Sequence, residues 1–467
     1  MDRSESSRST IGRRYRMDHT IPGMDSAIFC SEKYGGGGAR HYIRDLEGRL
    51  LRKQEKTGRV ANSLARGISS VFLPQGYPES VSADYLSYQV WDTLQAFAST
   101  LTGTLATQAV LRGVGVGDSS ATVAAASLTW MLKDGTGMIG RILFAWLKGT
   151  QLDQDAKQWR LFADLLNDLA IFIEILAPAF PTIFTLIICI SCLLKSVVGV
   201  AGGATRAALT VHQARRDNMA DVSAKDGSQE TLVNLAGLST GALLAPLTAD
   251  NLLLTHLLFA LFTTLHLFAN YRAVRAVVME TLNNARLRLL LDTFLREGVV
   301  PLPASINPQE PLLPAFWRRG TVRLGAPLHT ICQSVAEHQR AIKNNRKNYL
   351  LGIHRDTGEV NVCLREGAGS VDIIQAAIHA ELLLLLLHRD LTGFQVEHRK
   401  LAELQAAIRT AQDDRLWDVV SATHLLVEQL FPTLVSGAQS SGWLTERHQL
   451  GPDEWRARWG PGDKKEQ

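Results

Sequence analysis

Two runs of apolar residues constrain this chain more than any other feature of its sequence. Residues 181–200 read PTIFTLIICISCLLKSVVGV, and residues 251–270 read NLLLTHLLFALFTTLHLFAN. Each run is about as long as a helix must be to cross the hydrocarbon core of a bilayer. Each is apolar around its whole circumference, whereas a surface helix of a soluble domain carries one apolar stripe. The sequence therefore predicts a membrane protein.

The composition is that of a protein only partly embedded in a membrane. The chain has 467 residues, which allows two or three domains. Its mean hydropathy is +0.01, so polar regions balance the apolar ones. The net charge of +4 is too small for a nucleic-acid-binding protein, and we expect no nucleic-acid partner.

The cysteines give no framework for disulfides or metals. Their odd number argues against a secreted domain built on disulfides. Cys189 and Cys192 form a C-x-x-C inside the first apolar run, where small apolar packing is the expected role. No histidine or second cysteine pair lies near them in sequence. We expect no metal site and no cofactor.

The first 70 residues differ in composition from the rest of the chain. The N-terminus reads MDRSESSRSTIGRRYR and has no apolar core, so it is not a secretory signal. It is rich in Ser and Arg, as transit peptides are, but Asp2 and Glu5 count against that interpretation. Residues 1–70 are predicted to be a disordered region, with a flexible glycine joint at 35–38.

The segment 161–178 is apolar but carries polar side chains. Asp164 and Asp168 are four residues apart, and Asn167 and Glu174 lie nearly on one face of a helix. If this helix crosses a bilayer, these groups must face the bundle interior or a water-filled path, a position typical of cation and proton sites. The alternative is an amphipathic helix at the membrane surface with its acids in water. These four residues form a candidate intramembrane polar site.

Both long apolar runs are followed by arginines, which predict a topology. The positive-inside rule places such flanks in the cytosol. The arginines are Arg206, Arg215 and Arg216 after the first run, and Arg272, Arg275, Arg286 and Arg288 after the second.

Two crossings of the same direction need an opposite one between them, and the apolar segment 231–249 supplies it. The chain then crosses the membrane four times, and both termini are cytosolic. The four crossings are 161–178, 181–200, 231–249 and 251–270. Residues 84–111 and 119–147 are a further candidate pair, although Lys133, Asp134 and Arg141 interrupt the second of them. Glycine pairs four residues apart, 199 with 203 and 237 with 241, predict close helix approaches.

The polar segment 211–234 is predicted to be a loop between two crossings. It contains Lys225-Asp226-Gly227, which echoes Lys133-Asp134-Gly135. An internal repeat of the kind found in transporters would explain this similarity, but chance is the better explanation of a single tripeptide.

After residue 300 the chain changes character. Five prolines between 301 and 314 predict a stiff linker over 301–315. A small cytosolic α+β domain is predicted over 316–435, followed by a flexible tail over 436–467. Its predicted elements are a hairpin of strands 349–354 and 359–364, a buried helix 371–388, and helices over 395–412 and 416–431. His379 and Glu381 have no partner at metal or triad spacing, so ordinary packing is expected for them.

Several long strings resemble the root UV-B sensitive (RUS) family. They are FLPQGYP at 72–78, NMADVSAKDGSQE at 218–230 and NYRAVR at 270–275. The similarity covers residues 71 to 288 closely and implies a RUS-type helical membrane domain over 71–300. The chain looks most like the animal member, since it has no obvious plastid transit peptide.

The resemblance implies a domain without an assigned biochemical activity or a defined catalytic residue. Plant members of the family are linked to UV-B responses, seedling growth, auxin transport and vitamin B6 balance. The most recognisable string of the family contains Lys225, Asp226, Gln229 and Glu230. On that basis alone, these four residues form a candidate functional loop.

The predicted fold is mainly α: a multi-span helical membrane domain followed by a small α+β cytosolic domain. A non-catalytic membrane scaffold or adaptor is the first functional hypothesis, and a small-solute carrier or channel that uses the intramembrane acids is the alternative. An enzyme ranks last, since no nucleophile, metal or phosphate site has suitable spacing. The expected partners are the lipid bilayer, proteins bound through the C-terminal domain, and a second copy or another family member. We expect an intracellular membrane rather than the plasma membrane.

Overall fold

The protein is described here by a computed structural model in which helices dominate. It describes residues 28–33, 39–44, 48–52, 70–115, 122–249, 251–313, 321–343, 345, 347–354, 357–411 and 413–459. The chain divides into two compact units, residues 1–80 and residues 81–467.

The first unit contains a small antiparallel sheet. Its strands are β1 (Ile28–Glu32), β2 (Arg40–Arg44) and β3 (Leu50–Arg52), paired in that order. The prediction of disorder over 1–70 is wrong for these three segments. Backbone ladder hydrogen bonds hold the strands, and β1 is exposed along its whole length. Such strands give little apolar signal in a sequence. The segment 1–27 and the predicted glycine joint at 35–38 lie outside the described residues.

Six long helices open the second unit. They are α1 (Tyr85–Gly113), α2 (Val123–Lys148), α3 (Ala156–Leu176), α4 (Phe184–Gln213), α5 (Met219–Thr248) and α6 (Leu252–Ala276). α4 and α6 contain the two long apolar runs, and α3 contains most of the acidic segment 161–178. The helical prediction for these segments is confirmed.

Side-chain contacts show that α1 runs antiparallel to α6 and parallel to α5. Gln95 lies 2.9 Å from His266 of α6, and Trp91, one turn earlier, carries the guanidinium of Arg272 on its ring. Between α1 and α5, the residue numbers of the contacting side chains rise together on both helices. Successive contacts are Gln89 with Asp226, Thr100 with Asn234, and Gln108 with Thr248.

The remaining helices follow the same alternation. α3 is antiparallel to α4, since Glu174 pairs with Lys195 while Ala163 packs with Ala201. α2 is parallel to α4, as successive contacts of Thr129 with Thr185 and Gly140 with Ser196 show. Consecutive helices therefore alternate in direction. One end of the bundle, called the basal end below, is where α1, α3 and α5 begin and where α2, α4 and α6 end.

The polar segment 211–234 is mostly helical, which corrects the prediction of a loop. α4 continues to Gln213, and α5 begins at Met219. Both helices have 30 residues and are about 45 Å long. The first turns of α5 are polar because they pair with α4, so the hydropathy pattern marks only the later, apolar part of this helix.

Five described helices are long and apolar enough to cross a membrane: Pro181–Gln213, Met219–Thr248, Leu252–Ala276, Ser370–His388 and Leu416–Ser440. They differ in how the protein covers them. The apolar stretches of the three bundle helices are only 17 to 22% buried inside the protein. The stretch of Ser370–His388 is 78% buried, which confirms the prediction of a buried core helix.

The C-terminal part contains a mixed sheet. Its strands are β4 (Val322–Leu324), β5 (Tyr349–His354), β6 (Glu359–Arg365) and β7 (Arg456–Ala457). β6 is central: β5 pairs with it antiparallel on one side, and β4 and β7 pair with it in parallel on the other. The predicted hairpin is therefore confirmed. The helices after the bundle are α7 (Asn284–Glu297), α8 (Pro303–Ile306), α9 (Val335–Ile342), α10 (Ser370–His388), α11 (His398–Thr410) and α12 (Asp413–Ser440).

The apolar core of this part crosses both of its predicted limits. It runs from Leu282 in sequence to Leu450 and includes buried residues of α7 together with β6 and α10. The predicted linker is packed, with Ile306 fully buried. The predicted flexible tail is packed as well, because Trp443 is buried and its Nε1 donates to the carbonyl oxygen of Pro301 at 2.8 Å. The prolines shape a covered segment, and the tryptophans anchor the end of the chain.

A buried ionic group joins the C-terminal part to the basal end of the bundle. Glu310 lies 2.9 Å from the Nζ of Lys157 in α3 and 3.2 Å from a guanidinium nitrogen of Arg286 in α7. All three side chains are at most 4% exposed. Burial alone would raise the pKa of Glu310, but Arg286 and Lys157 hold it below its ordinary value. Arg275, near the end of α6, donates to the carbonyl oxygens of Asn307 and Glu310.

Candidate functional site

An open pocket of about 600 Å³, called the cavity below, lies between α1, α3, α4 and α5 of the helical bundle. Its lining mixes charged, amide and hydroxyl side chains with bare glycine backbone. The lining residues are Asp92, Gln95, Ala96, Ser99 and Thr100 from α1, Arg160 and Asp164 from α3, Val198, Gly199, Gly202, Gly203 and Arg206 from α4, and Glu230, Asn234 and Leu238 from α5.

Glycines form the α4 wall of the cavity. A Cβ added at Gly199, Gly202 or Gly203 would meet no atom within 4 Å. The predicted close approach through Gly199 and Gly203 is therefore wrong, because these residues face open space. The same prediction is confirmed for Gly237 and Gly241, where an added Cβ would lie 2.8 Å from Thr100 and Thr104 of α1.

The α3 wall presents a basic and an acidic side chain one turn apart. The guanidinium of Arg160 donates to Asp92 of α1 at 2.7 Å. Asp164 accepts a hydrogen bond from the amide of Gln95 at 3.0 Å. Asp92 and Arg160 thus neutralise each other, whereas the hydrogen bond to Asp164 comes from an uncharged amide.

Arg206 on the α4 wall contacts two residues of the candidate functional loop, which lies on α5. Its guanidinium lies 2.5 Å from Asp226 and 2.5 Å from Glu230. Gln229 faces the hydroxyl of Tyr85 at 3.5 Å, and Lys225 is partly buried on the same helix. Of the four residues of the candidate loop, Glu230 lines the cavity, Asp226 supports it through Arg206, and all four lie on a helix rather than on a loop.

The four residues of the candidate intramembrane site separate into two places. Asp164 lines the cavity, and Asp168 lies behind it, with its Oδ2 2.8 Å from the Nδ1 of His266. Glu174 is farther along α3 and is held by Lys195 at 2.6 Å and Ser191 at 2.8 Å. Asn167 is partly buried and is not part of the cavity lining.

The tertiary structure therefore brings together two groups that the sequence proposed for unrelated reasons. Asp164 comes from the acidic segment and Glu230 from the recognisable string, and both line one cavity. Gln95, Asp92 and Arg160 were missed, as was His266. Arg160 precedes Asp164 by one helical turn, and His266 is an imidazole within an apolar run. The spacing of Arg160 from Asp164 and the histidine within the apolar run could both have been recognised in the sequence.

His379 and Glu381, the two polar residues noted on the buried helix α10, are held by partners inside the C-terminal core. His379 is fully buried between the hydroxyls of Tyr349 at 3.3 Å and Thr423 at 2.8 Å. Burial holds the pKa of His379 well below its ordinary value and lowers that of His424 to about 4. Glu381 accepts two hydrogen bonds from Arg288 of α7, at 2.8 and 2.9 Å. In the described part of the chain, no group of three or more His, Cys, Asp and Glu side chains could hold a metal ion.

Two sequence-family models match the chain and meet without a gap. The "Vitamin B6 photo-protection and homoeostasis domain" matches residues 58–298, and "Root UVB sensitive protein, C-terminal" matches residues 299–459.

The chain belongs to the root UVB sensitive (RUS) family. It is 36% identical to "Protein root UVB sensitive 3" of Arabidopsis thaliana over 410 residues, which are 85% of this chain and 87% of that protein. It is 47% identical to "RUS family member 1" of Dictyostelium discoideum over 298 residues, 63% of this chain. That match covers 56% of the Dictyostelium protein's length. No solved structure matches the chain.

Membership of the RUS family confirms the resemblance found in the sequence. The finer likeness to the animal member stays a prediction. The string at 218–230 lies on α4-facing turns of α5, and the string at 270–275 lies at the basal end of α6. These two strings of this RUS protein thus flank the cavity or the basal end of the bundle.

Proposed function

We propose that this RUS protein is a non-catalytic, multi-pass membrane protein whose six-helix bundle binds a small polar solute, as a carrier does. The observation that carries the proposal is the cavity in which Asp164 and Glu230 meet. Small-molecule sites are typically concave spaces of about 300–1,000 Å³, so its size is suitable. Charged side chains inside a membrane bundle are costly and are typical of solute or ion pathways.

The exposed surface of the bundle supports its placement in lipid. Large apolar side chains cover its outside, and Leu253, Leu257 and Leu261 of α6 are at least 60% exposed. In water this surface would be an aggregation hazard, whereas in lipid it is solvated. Arginines gather at the basal end, which the positive-inside rule assigns to the cytosol. The alternating helices then make six crossings with both termini cytosolic, extending the four predicted from the sequence.

Alkaline carbonate washing tests this placement. We expect the full chain to stay with the membrane pellet of cells that express it. Release into the supernatant would contradict the membrane assignment and the carrier proposal with it. An intracellular membrane remains the expected location, and co-sedimentation with organelle markers tests that separately.

The family description suggests a solute to try first. Its domain is named for vitamin B6 homoeostasis, and pyridoxine is a small polar heterocycle with several hydroxyl groups. Hydroxyl donors match the carboxylates of Asp164 and Glu230, and a ring nitrogen or oxygen can accept from Arg206. Pyridoxine is therefore the probe that the cavity chemistry and the family description jointly favour.

Filling the cavity provides the decisive experiment. Gly203→Leu places a large side chain in open space on the α4 wall and raises helix propensity, so folding should be preserved. Pyridoxine binding to the purified full chain in lipid nanodiscs should weaken by about tenfold or more, because the added side chain occupies the site. Gly135→Leu is the matched control, since it also faces open space but lies on α2 outside the cavity. Equal loss in both variants, or no binding by the native chain, would contradict the proposal.

A scaffold role is the second candidate, and one observation favours it. A groove of about 620 Å³ runs beside β5 and the start of α12 and includes Trp417 and His354. Such a groove on the cytosolic side could hold a protein segment. The chain with Trp417→Ala should then lose cross-linked partners in intact cells while keeping pyridoxine binding. An unchanged set of partners would remove this candidate.

A further inference from the structure

His266 lies behind the cavity with both of its ring nitrogens engaged. The side chain is completely buried on α6. Its Nδ1 is 2.8 Å from Oδ2 of Asp168, and its Nε2 is 2.9 Å from Nε2 of Gln95. The same amide nitrogen of Gln95 is 3.0 Å from Oδ2 of Asp164, which lines the cavity. Four side chains from α1, α3 and α6 therefore form one continuous hydrogen-bonded chain.

The chemistry of these groups assigns the hydrogens. An amide nitrogen carries two hydrogens and accepts none, so Gln95 in this orientation donates one to Asp164 and one to His266. The Nε2 of His266 must then be a bare acceptor. Its Nδ1 carries the only ring hydrogen and donates it to the Asp168 carboxylate. The imidazole is neutral in this arrangement, and one tautomer alone fits.

Adding one proton to this chain forces a rearrangement. A proton bound at Nε2 makes that atom a donor, and a donor cannot face the amide nitrogen of Gln95. The hydrogen bond between Gln95 and His266 breaks, and the amide turns so that its oxygen accepts from Nε2. Asp164 then loses its Gln95 donor and becomes an acceptor open to the cavity. One proton enters from water, no covalent bond other than N–H forms, and the net charge rises by one.

The charged groups around His266 are mainly acidic. The described contacts of this ring come from α1 and α3. α3 presents two carboxylates, with Asp168 in contact and Asp164 at 3.8 Å from Nε2. The nearby cation of α3, Arg160, is already paired with Asp92 of α1. Two acids against one neutralised arginine leave a surplus of negative charge around the imidazole.

Orphaned polar atoms beside His266 point to bound water. Oδ1 of Asp168 is buried and has no hydrogen-bond partner among the described residues. Asn270, one turn along α6 from His266, is fully buried. Its amide oxygen and nitrogen also have no hydrogen-bond partner among the described residues. Buried polar groups are almost always satisfied, and ordered water is the usual partner where protein atoms are not. Water at this place would give a proton its route to the ring.

We propose that Asp164, Gln95, His266 and Asp168 form a proton-binding site that couples protonation of His266 to the solute cavity through the Gln95 amide. This inference rests on the proposed function, because the coupling acts on the solute site. Protonation exposes the Asp164 carboxylate, which then needs a donor. A solute hydroxyl supplies one, so the solute binds more tightly when His266 is charged.

Histidine ¹⁵N NMR of the full chain in lipid nanodiscs tests the proton site without any solute. The signals that His266→Gln removes should show a neutral ring with Nδ1–H at about pH 8 and a doubly protonated ring at about pH 5. Asp168→Asn should move this conversion to lower pH, because a carboxylate that favours the cation is gone. His256→Gln, near the start of the same helix, is the matched control and should leave these signals in place. A His266 ring that keeps one protonation state over this range would overturn the proposal.

Pyridoxine binding at the same pH values tests the coupling. The native chain should bind about tenfold more tightly at the lower pH, within the usual range of coupling between sites. Gln95→Ala should leave His266 titrating but remove the pH dependence of binding. If the dependence persists in Gln95→Ala, the coupling through Gln95 is wrong. Conversion of His266 without any pyridoxine binding would support the proton site and contradict the proposed function. Pyridoxine binding that is independent of pH would support the proposed function and contradict the coupling.

Discussion

Helices α6 and α10 are both apolar around their whole circumference, yet they have opposite surroundings. Only 22% of the apolar stretch of α6 is buried inside the protein, compared with 78% of that of α10. The sheet, α7, α11 and α12 surround α10, whereas the outer face of α6 is open. Hydropathy therefore identifies a helix that avoids water, but it does not show whether lipid or protein surrounds that helix. Polar residues do not separate the two helices, since His266 of α6 and His379 of α10 both find partners inside the protein.

A charge placed on each helix tests this comparison with the largest expected effect. Leu383→Asp puts an unpaired carboxylate at a fully buried position of α10 and should destabilise the fold by about 4 kcal/mol or more. Leu261→Asp, at a position of α6 that is 60% exposed, should cost about 2.5–3.5 kcal/mol if lipid surrounds it. Size-exclusion profiles of the expressed variants in mild detergent show how much folded protein each variant retains. Native-like yield and a native-like elution profile of Leu261→Asp would show that water, not lipid, lies beside α6.

The junction between the two regions provides the next test. Glu310→Gln leaves Lys157 and Arg286 buried without their carboxylate and should cost about 3–5 kcal/mol. Thermal unfolding of the purified protein measures the loss. Glu366→Gln is the control, because its exposed ion pair with Arg458 should be worth at most about 1 kcal/mol. Equal effects of the two variants would mean that the junction contributes no more than a surface pair.

Acid should weaken this junction in a defined direction. The pKa of Glu310 lies below its ordinary value of 4.5 in the folded protein. Its contribution to stability is therefore complete above about pH 4.5 and is lost as the pH falls through the lower folded value. Glu310→Gln should remove this part of the acid dependence. An unchanged stability profile below about pH 4.5 in the variant would contradict the assignment.

Within the bundle, the close approach of α1 and α5 gives a smaller effect. Gly237→Ala would place a methyl group 2.8 Å from Thr100 and should destabilise the bundle by about 1–3 kcal/mol. Gly227→Ala on the same helix meets no atom within 4 Å and should be neutral or stabilising by up to about 1 kcal/mol. Thermal unfolding in nanodiscs separates the two. A stabilising effect of both substitutions would rule out tight packing at Gly237.

The smallest expected effect concerns the core around α10. The pKa of His379 lies well below its ordinary value of 6.5, so the folded state resists the proton that the unfolded chain accepts. Stability should therefore fall as the pH drops below about 6.5, by about 1–2 kcal/mol near pH 5. His379→Gln should flatten this slope, whereas His329→Gln, on the surface, should not. Chemical unfolding at several pH values is the measurement, and an unchanged slope in His379→Gln would contradict the explanation.

The C-terminal core also shows where sequence families and packing differ. The two family models divide the chain between residues 298 and 299, so α7 belongs to the first of them. Its buried side chains Leu287, Leu291 and Phe294 nevertheless lie in the core of the C-terminal part. The predicted domain 316–435 would lack this helix and the anchoring Trp443. We therefore do not expect this domain to fold separately.

Local sequence patterns were enough to predict the elements that are defined by a short stretch of apolar or alternating residues. Full apolar runs predicted α4 and α6, alternation predicted the β5–β6 hairpin, and six consecutive leucines predicted the buried helix α10. Such patterns fail where hydrogen bonds or polar pairs replace apolar burial. The exposed strands β1 to β3 and the polar first turns of α5 were missed for that reason.

The family, the apolar helices and two sets of polar residues that needed an explanation could all be recognised in the sequence. The packing of the helices was needed to show that Asp164 and Glu230 face the same cavity, and that Gln95 and His266 connect Asp164 to Asp168. The periodicity of a sequence records only which face of a helix avoids water. Which helix lies opposite that face depends on packing between residues more than a hundred positions apart, such as Gln95 and His266.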